Sequence, residues 1–151
     1  MDTFEDSKKK GKVLSDELQD TQNKVDVRNI SISRVGIKDI KYPFDISDKD
    51  GVSQSTIGNF TMSVGLPDNV KGTHMSRFVK ILEDQKEPLS IENFDSLVVN
   101  TSDILGSDAA YISVDFIYFK KKKAPVTKVE SLLDYSINYT CEVKNNIINK
   151  Y

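Results

Sequence analysis

Three stretches of strict alternation constrain this chain more than any other feature of it. Between Gln54 and Leu66, Phe60, Met62, Val64 and Leu66 fall on one side while Asn59, Thr61, Ser63 and Gly65 fall on the other. Residues 110 to 119 repeat the pattern with Ile112, Val114, Phe116 and Tyr118. The third runs on odd numbers from Leu133 through Tyr135, Ile137, Tyr139 and Cys141 to Val143. A period of two puts every second side chain on one face, so each stretch predicts a strand with one buried and one polar side. Strands of this kind belong to antiparallel sheets with a single covered face.

The cover lies between the second and third strands. Met75, Phe78, Val79 and Leu82 recur at helical spacing and predict a helix over His74 to Asp84. The Pro, Asp, Asn and Gly of residues 66–72, LPDNVKG, form the turn that precedes it. After the break at EPLS, a second helix is expected with Ser90 as N-cap and Glu92 in its first turn. Its apolar side comprises Ile91, Phe94, Leu97, Val98 and Leu105.

Ahead of all this, residues 30–48 carry Val35, Ile37, Ile40, Tyr42 and Phe44, a strand whose register shifts at Lys38-Asp39. Pro43 cannot donate to a ladder, which places this strand at an edge or a bulge. The basic run 120–126, KKKKAPV, is expected to be a connection. Asn145-Asn146 predicts a hairpin turn, and residues 147–151 the start of a returning strand. The order is strand, strand, helix, helix, strand, strand, or ββααββ, an α+β layer in which an antiparallel sheet has both helices on one face.

Composition bounds the rest. A chain of 151 residues is the size of one domain. Residues 1–28 are rich in Asp, Lys, Gln and Ser, too polar to offset the entropy of ordering, so they are expected to form a flexible arm with a short helix at Val13 to Gln19. The domain then covers 29–151. Lys and Arg number 21 against 23 Asp and Glu, with the signs interspersed, so no overall field recommends a nucleic acid or a membrane as partner. One cysteine, no apolar leader and no apolar run of membrane-spanning length point to a reducing cytoplasm.

Few residues offer chemistry. Cys141 falls in the apolar series of its strand and reads as a small buried hydrophobe. His74 is the single histidine, and with one patterned-in cysteine it cannot build a catalytic zinc site, which takes about three protein ligands. At the start of a helix it suits capping, packing or support of a phosphate beside exposed N–H groups. Lys71, Gly72, Thr73, Ser76 and Arg77 around it could bind an anion, or form a solvated helix end. Lys120 to Lys123 solvate the end of an apolar strand and flank it against aggregation.

Three runs add what periodicity cannot. The segments ISRVGIKDIKYPF (32–44), NFTMSVGLPDNVKGTHMSRFVKIL (59–82) and FKKKKAPVTKVESLLDYSINY (119–139) closely resemble the N-terminal half of the type IB GTP cyclohydrolases, KGTHMSRF being the most specific. The resemblance covers nearly everything from Asp26 onward. It implies a tunnelling-fold (T-fold) unit, in agreement with the order of elements above. It implies an enzyme that converts GTP and water to 7,8-dihydroneopterin triphosphate and formate, the entry to folate synthesis. It implies a divalent metal, zinc or manganese, and a homo-oligomer with sites between subunits. Thr73, His74, Ser76 and Arg77 match the family motif and are its substrate-binding candidates in this chain. No catalytic residue and no metal ligand is carried over: Cys141 precedes the hairpin and does not match the family's metal cysteine. That cysteine, the metal histidine and the guanine-anchoring glutamate would lie past Tyr151. The expectation is a T-fold unit cut within its C-terminal hairpin, inactive without a chain carrying the C-terminal half, and with the outer edge of the Leu133 to Val143 strand unpaired. The alternative is a non-catalytic T-fold interaction module or remnant, and a third reading is plain anion binding through Lys71 and Arg77.

Overall fold

A computed structural model of the chain describes residues 31–151. The expected N-terminal arm and its helix at Val13 to Gln19 lie outside the described residues. Five strands form one antiparallel sheet in the order β1-β2-β3-β4-β5. They are β1 (Ile32–Ser47), β2 (Ser53–Leu66), β3 (Ala109–Lys123), β4 (Glu130–Lys144) and β5 (Ile147–Lys150). Two helices, α1 (Met75–Asp84) and α2 (Phe94–Leu105), occupy the chain between β2 and β3. The architecture is the expected α+β arrangement and is T-fold-like.

Helix α2 packs on β2, β3 and β4, and α1 on β1 and α2, so one face of the sheet is covered. The core joins Phe60, Met62 and Val64 of β2 and Ile112, Val114 and Phe116 of β3 to Phe78, Ile81, Leu97 and Val98 of the helices. Aromatic rings fill its end: Phe116 meets Phe44 at 5.4 Å and Tyr139 at 5.3 Å, both edge to face. Cys141 is fully buried here, as its place in the alternation predicts.

β1 is an edge strand, and Pro43 sits within it opposite Ile57. Its register shifts between Ile37 and Ile40. Asp39 there takes a positive φ of 58°, a region costly for residues with a Cβ, and its carboxylate accepts a hydrogen bond from Asn59 Nδ2 at 3.1 Å. Gly36, on the same strand, lies so close to β2 that a Cβ would come within 1.9 Å of the Met62 carbonyl oxygen. Beyond α1, Leu89 bonds through its backbone to Asp45 and Ser47, both at 2.8 Å, and covers part of the outer edge of β1.

The face without helices is polar and cross-linked. Asn138 donates to Ser113 Oγ and to Asp115, while Ser113 and Thr140 hydroxyls meet at 3.0 Å. Arg34 lies 4.1 Å above the Tyr111 ring and pairs with Glu142 at 3.2 Å, tying β1 to β3 and β4.

Several expectations are corrected. The lysine run is strand, with Lys120 to Lys123 in β3 opposite Leu133 to Glu130, and the turn occupies 124–129. Both faces of this part of the hairpin meet water, so charge does not oppose pairing. Lys123 pairs with Glu130 at 3.4 Å, Lys120 with Asp48 at 3.7 Å, and Lys122 lies over the Tyr135 ring. Helix α1 buries Phe78, Ile81 and Leu82 but leaves Met75 exposed and Val79 half-buried, a stripe turned toward Ile81. α2 begins at Phe94 with Asn93 at the N-cap, and Ile91 is 58% exposed. Ser90 still serves the turn before it: its N–H donates to Asn93 Oδ1 at 2.8 Å and its hydroxyl accepts from Asn93 N–H at 3.3 Å. The outer edge of β4 is partly covered, since β5 pairs with Cys141 to Lys144 and Tyr151 bonds Thr140. From Glu130 to Tyr139 that edge has no ladder partner among the described residues. Asn145 and Asn146 both take positive φ, 49° and 63°, as a two-residue hairpin turn of type I′ demands.

Candidate functional site

The KGTHMSRF segment lies at one end of the sheet, where β2 stops, α1 starts and α2 ends. Leu66 and Pro67 lead into the turn, and the chain reaches α1 through Gly72 and Thr73. His74 stands at the N-cap position with extended backbone, φ −80° and ψ 106°, and its imidazole makes no capping hydrogen bond to the helix. The first turn holds no acidic residue, so the positive end of the α1 dipole is not offset by a neighbouring carboxylate within that turn.

Thr73, His74 and Arg77 line a small cleft of about 170 Å³, with Gly65, Gly72 and Gly106 among its other walls. Thr73 is buried, 8% exposed, whereas Arg77 is exposed. Ser76 points elsewhere: with Arg77, Val79, Lys80 and Glu83 it lines a shallow groove on the outside of α1. Lys71 lines neither. The structure thus brings three of the four motif residues together, separates Ser76, and leaves Arg77 bordering both spaces.

The opposite wall is the end of α2. Gly106 takes φ 61° and its N–H bonds the Asp103 carbonyl at 3.2 Å, while Ser107 N–H bonds Ser102 at 3.0 Å. These bonds close the helix and satisfy carbonyls that would otherwise face the cleft. Ser107 fixes the wall in place, since its hydroxyl donates to the Gly65 carbonyl at 2.7 Å. Sequence patterning missed Ser107, because a serine after a glycine gives no sign of a contact 42 residues away.

A second cavity of about 340 Å³ shares Gly65, Leu66, Pro67 and Gly106 with the cleft. Arg34 and Lys144 enter it, and so do Asp108 and Glu142. Its charges balance; among the described residues the cleft has Arg77 and no carboxylate.

Metal ligands are a different matter. Among the described residues no three of His, Cys, Asp and Glu come together as a metal site. Burial pushes the Cys141 thiol above its ordinary pKa, with the nearby Asp95 charge adding to the effect, so it stays a neutral thiol rather than a ligand thiolate. The described residues do not fit a divalent ion by themselves. What they offer is donors and one cation around a small space. Nor is any helix among them long and apolar enough to cross a membrane.

The fold is a T-fold-like unit with a small cleft at the start of its first helix. Residues 18–150 match the family described as type I GTP cyclohydrolase FolE2. The chain belongs to that family. It is 45% identical over 128 residues to the GTP cyclohydrolase FolE2 of Nitrosomonas eutropha, 85% of this chain and 48% of that protein. Similar relatives are the FolE2 proteins of Vesicomyosocius okutanii, 48% identical over 120 residues (80% and 46%), and of an Azoarcus species, 43% over 130 residues (86% and 48%). The chain spans about half the length of the curated relatives it matches. The resemblance read from KGTHMSRF is therefore borne out at the level of GTP cyclohydrolase FolE2; the IB label is not part of these descriptions.

Proposed function

We propose that this chain takes part in the GTP cyclohydrolase reaction, in which GTP and water give 7,8-dihydroneopterin triphosphate and formate at the entry to folate synthesis. The observation that carries this reading is family membership over 18–150, a match that includes the whole cleft-forming segment. The chain spans about half the length of its relatives, so the complete reaction is assigned to this half together with the remaining half. The zinc or manganese ion expected of the complete enzyme is assigned to residues of that other half.

The role proposed for this half is to bind and orient. Thr73, His74 and Arg77 face the substrate in the cleft, and Ser76 contributes from the outer groove that Arg77 also borders. The outer edge of β4 from Glu130 to Tyr139, without a ladder partner among the described residues, supports association with another chain, since unpaired strand edges are templates for pairing. The same edge supports the alternative reading of a non-catalytic interaction module, which differs by predicting association without turnover.

The test mixes this chain with a chain carrying the downstream half of a FolE2 relative, adds GTP with zinc or manganese, and follows neopterin fluorescence. Turnover by the mixture and by neither chain alone is expected. Turnover by this chain alone removes the need for the partner. A folded, associated mixture without turnover leaves the interaction module standing in its place.

A further inference from the structure

We infer that the tip of the β3–β4 hairpin of one molecule seats in the groove beside the C-terminal end of α1 in a second copy. Val126 enters the groove and the tip lysines meet its carboxylates. The inference goes beyond the proposed reaction and does not rest on it.

The groove lies where the end of α1 meets β1. Tyr42, Pro43 and Phe44 line it from the strand, Leu82 and Leu89 from the helix and the segment after it. That segment is held in place: Leu89 bonds the β1 backbone at Asp45 and Ser47, and Gln85 Nε2 donates to the Glu87 carbonyl at 2.8 Å. A space of about 260 Å³ falls below the ~300–1,000 Å³ of small-molecule pockets, and suits side chains better than a cofactor.

The rim selects the sign of the occupant's charge. Asp45, Glu83 and Glu87 stand there against Lys86, whose ammonium donates to the Glu83 carbonyl at 3.2 Å. Asp45 accepts from the Ser55 hydroxyl at 2.5 Å, while Glu83 and Glu87 form no ion pair among the described residues. Lys80, on the same helix, is taken by Asp84 at 2.7 Å. An apolar group flanked by cations is the complementary occupant.

The hairpin tip has that chemistry. Val126 is 89% exposed, more than any other large apolar side chain among the described residues. Lys120 to Lys123 precede it and Lys128 follows. Lys120, Lys122 and Lys123 are engaged by Asp48, the Tyr135 ring and Glu130, but Lys121 and Lys128 form no ion pair among the described residues. Ala124 N–H bonds the Val129 carbonyl at 2.9 Å and Lys128 N–H the Ala124 carbonyl at 3.1 Å. The turn is thus closed before any contact, so little ordering opposes its binding.

A molecule cannot fill its own groove. Gln54 of β2 still bonds Phe119, and from there the β3–β4 ladder runs on to Lys123, ~14 Å at ~3.4 Å per residue, carrying the tip outward. Asp45 and Ser55 pair at that same end of the sheet. A two-fold axis between two copies therefore brings each tip to the other's groove, and the contact closes on itself.

Sedimentation equilibrium of the full chain tests this. A dimer is expected that weakens as salt is raised. Val126→Ser should weaken it about tenfold or more, and so should reversal of the groove (Glu83→Lys with Glu87→Lys) or of the tip (Lys121→Glu with Lys128→Glu). Mixing the groove-reversed and tip-reversed chains should restore a dimer to within about threefold of wild type, since each tip then meets a groove of opposite charge. Asp103→Lys, on α2 at the other end of the sheet, should change association less than about twofold. Thermal melting of each variant separates lost association from lost folding. A folded wild-type chain that stays monomeric overturns the inference, as does a dimer indifferent to Val126→Ser and to both reversals. Failure of the mixture to associate overturns it too. A peptide of residues 120–129 that binds a monomeric chain would show a groove for some other basic segment, and would remove the second copy as its occupant.

Discussion

The β3–β4 hairpin contains two regions that share one uninterrupted ladder and almost nothing else. From Ala110 to Phe116, paired with Val143 to Ile137, the strands lie under the helices, and Ile112, Val114 and Cys141 are fully buried. From Phe119 to Lys123, paired with Asp134 to Glu130, the same strands run on past the core. Phe119 is 46% exposed there, Leu132 60% and Leu133 40%. β2 also leaves β3 at this point: its ladder ends at Asn59 and Asp115. Beyond it, the side chains of Gln54 and Thr56 bond the Phe119 and Ile117 backbone at 2.9 Å in place of ladder partners. Backbone pairing alone therefore does not decide burial. A covering layer does, and here it covers only half the hairpin.

The sharpest way to break that contrast is by thiol chemistry. Cys141 should react with a disulfide reagent only through unfolding, at least about a thousandfold slower than a cysteine placed in the ribbon by Leu132→Cys in a Cys141→Ala background. Comparable rates would mean that the covered half opens as easily as the projecting one. Next in size are two phenylalanines three positions apart. Phe116→Ala should cost about 3–5 kcal/mol in urea denaturation, and Phe119→Ala under about 1 kcal/mol, because only the first leaves a cavity. Similar losses at both sites would show that the ribbon is packed in solution.

Gly58 probes the boundary. A Cβ there would come within 2.6 to 2.8 Å of the Phe60, Val114 and Phe44 side chains, so Gly58→Ala should destabilise by about 1–3 kcal/mol through overpacking. A Gly51→Asn change in the open β1–β2 turn, where φ is 76° and no atom lies within 4 Å, should be close to neutral by the same melting assay.

Asp48 ties that turn to the projecting ribbon. Its carboxylate accepts from Val52 and Asp50 N–H groups and from the Tyr118 hydroxyl, with Lys120 nearby. The Val52 N–H is the largest cause of its lowered pKa; the other bonds and Lys120 add to it, and partial desolvation opposes it. A carboxyl whose pKa is lower folded than unfolded stabilises the fold above its unfolded value of about 3.9 and loses that contribution as pH falls through the folded value. Acidification below about pH 4 should therefore loosen the ribbon and the β1–β2 turn, read by amide exchange at Val52 and Phe119. Asp48→Asn should remove that pH dependence, and an unchanged acid response would rule Asp48 out as its source. The smallest effect belongs to Lys150, whose 2.8 Å pair with Asp95 holds β5 to the start of α2. Lys150→Gln should cost at most about 1 kcal/mol, as exposed ion pairs do.

Much of the fold is legible in the sequence, and the reasons are local. Alternation located β2, β3 and β4 because a strand's side chains repeat every two residues whatever their neighbours. Lys38-Asp39 announced the register shift, and Asn145-Asn146 the hairpin turn, because each depends on the φ those residues tolerate. Cys141 was legible as core for the same periodic reason. The lysine run is strand and not the connection its composition suggests, because charge reports solvation and not backbone conformation. Alternation places Leu133 and Tyr135 in a strand, but the pattern does not tell that no helix among the described residues covers them.

The candidate site divides the same way. KGTHMSRF by itself fixed a turn, a helix start and a family, since those follow from residue types and their order. The burial of Thr73, the separation of Ser76 from Thr73, His74 and Arg77, and the wall that Ser107 pins to Gly65 were decided only by the tertiary structure. Each depends on where α2 ends relative to β2, a contact between segments some 40 residues apart, and local pattern holds no record of which distant surface will close a cleft.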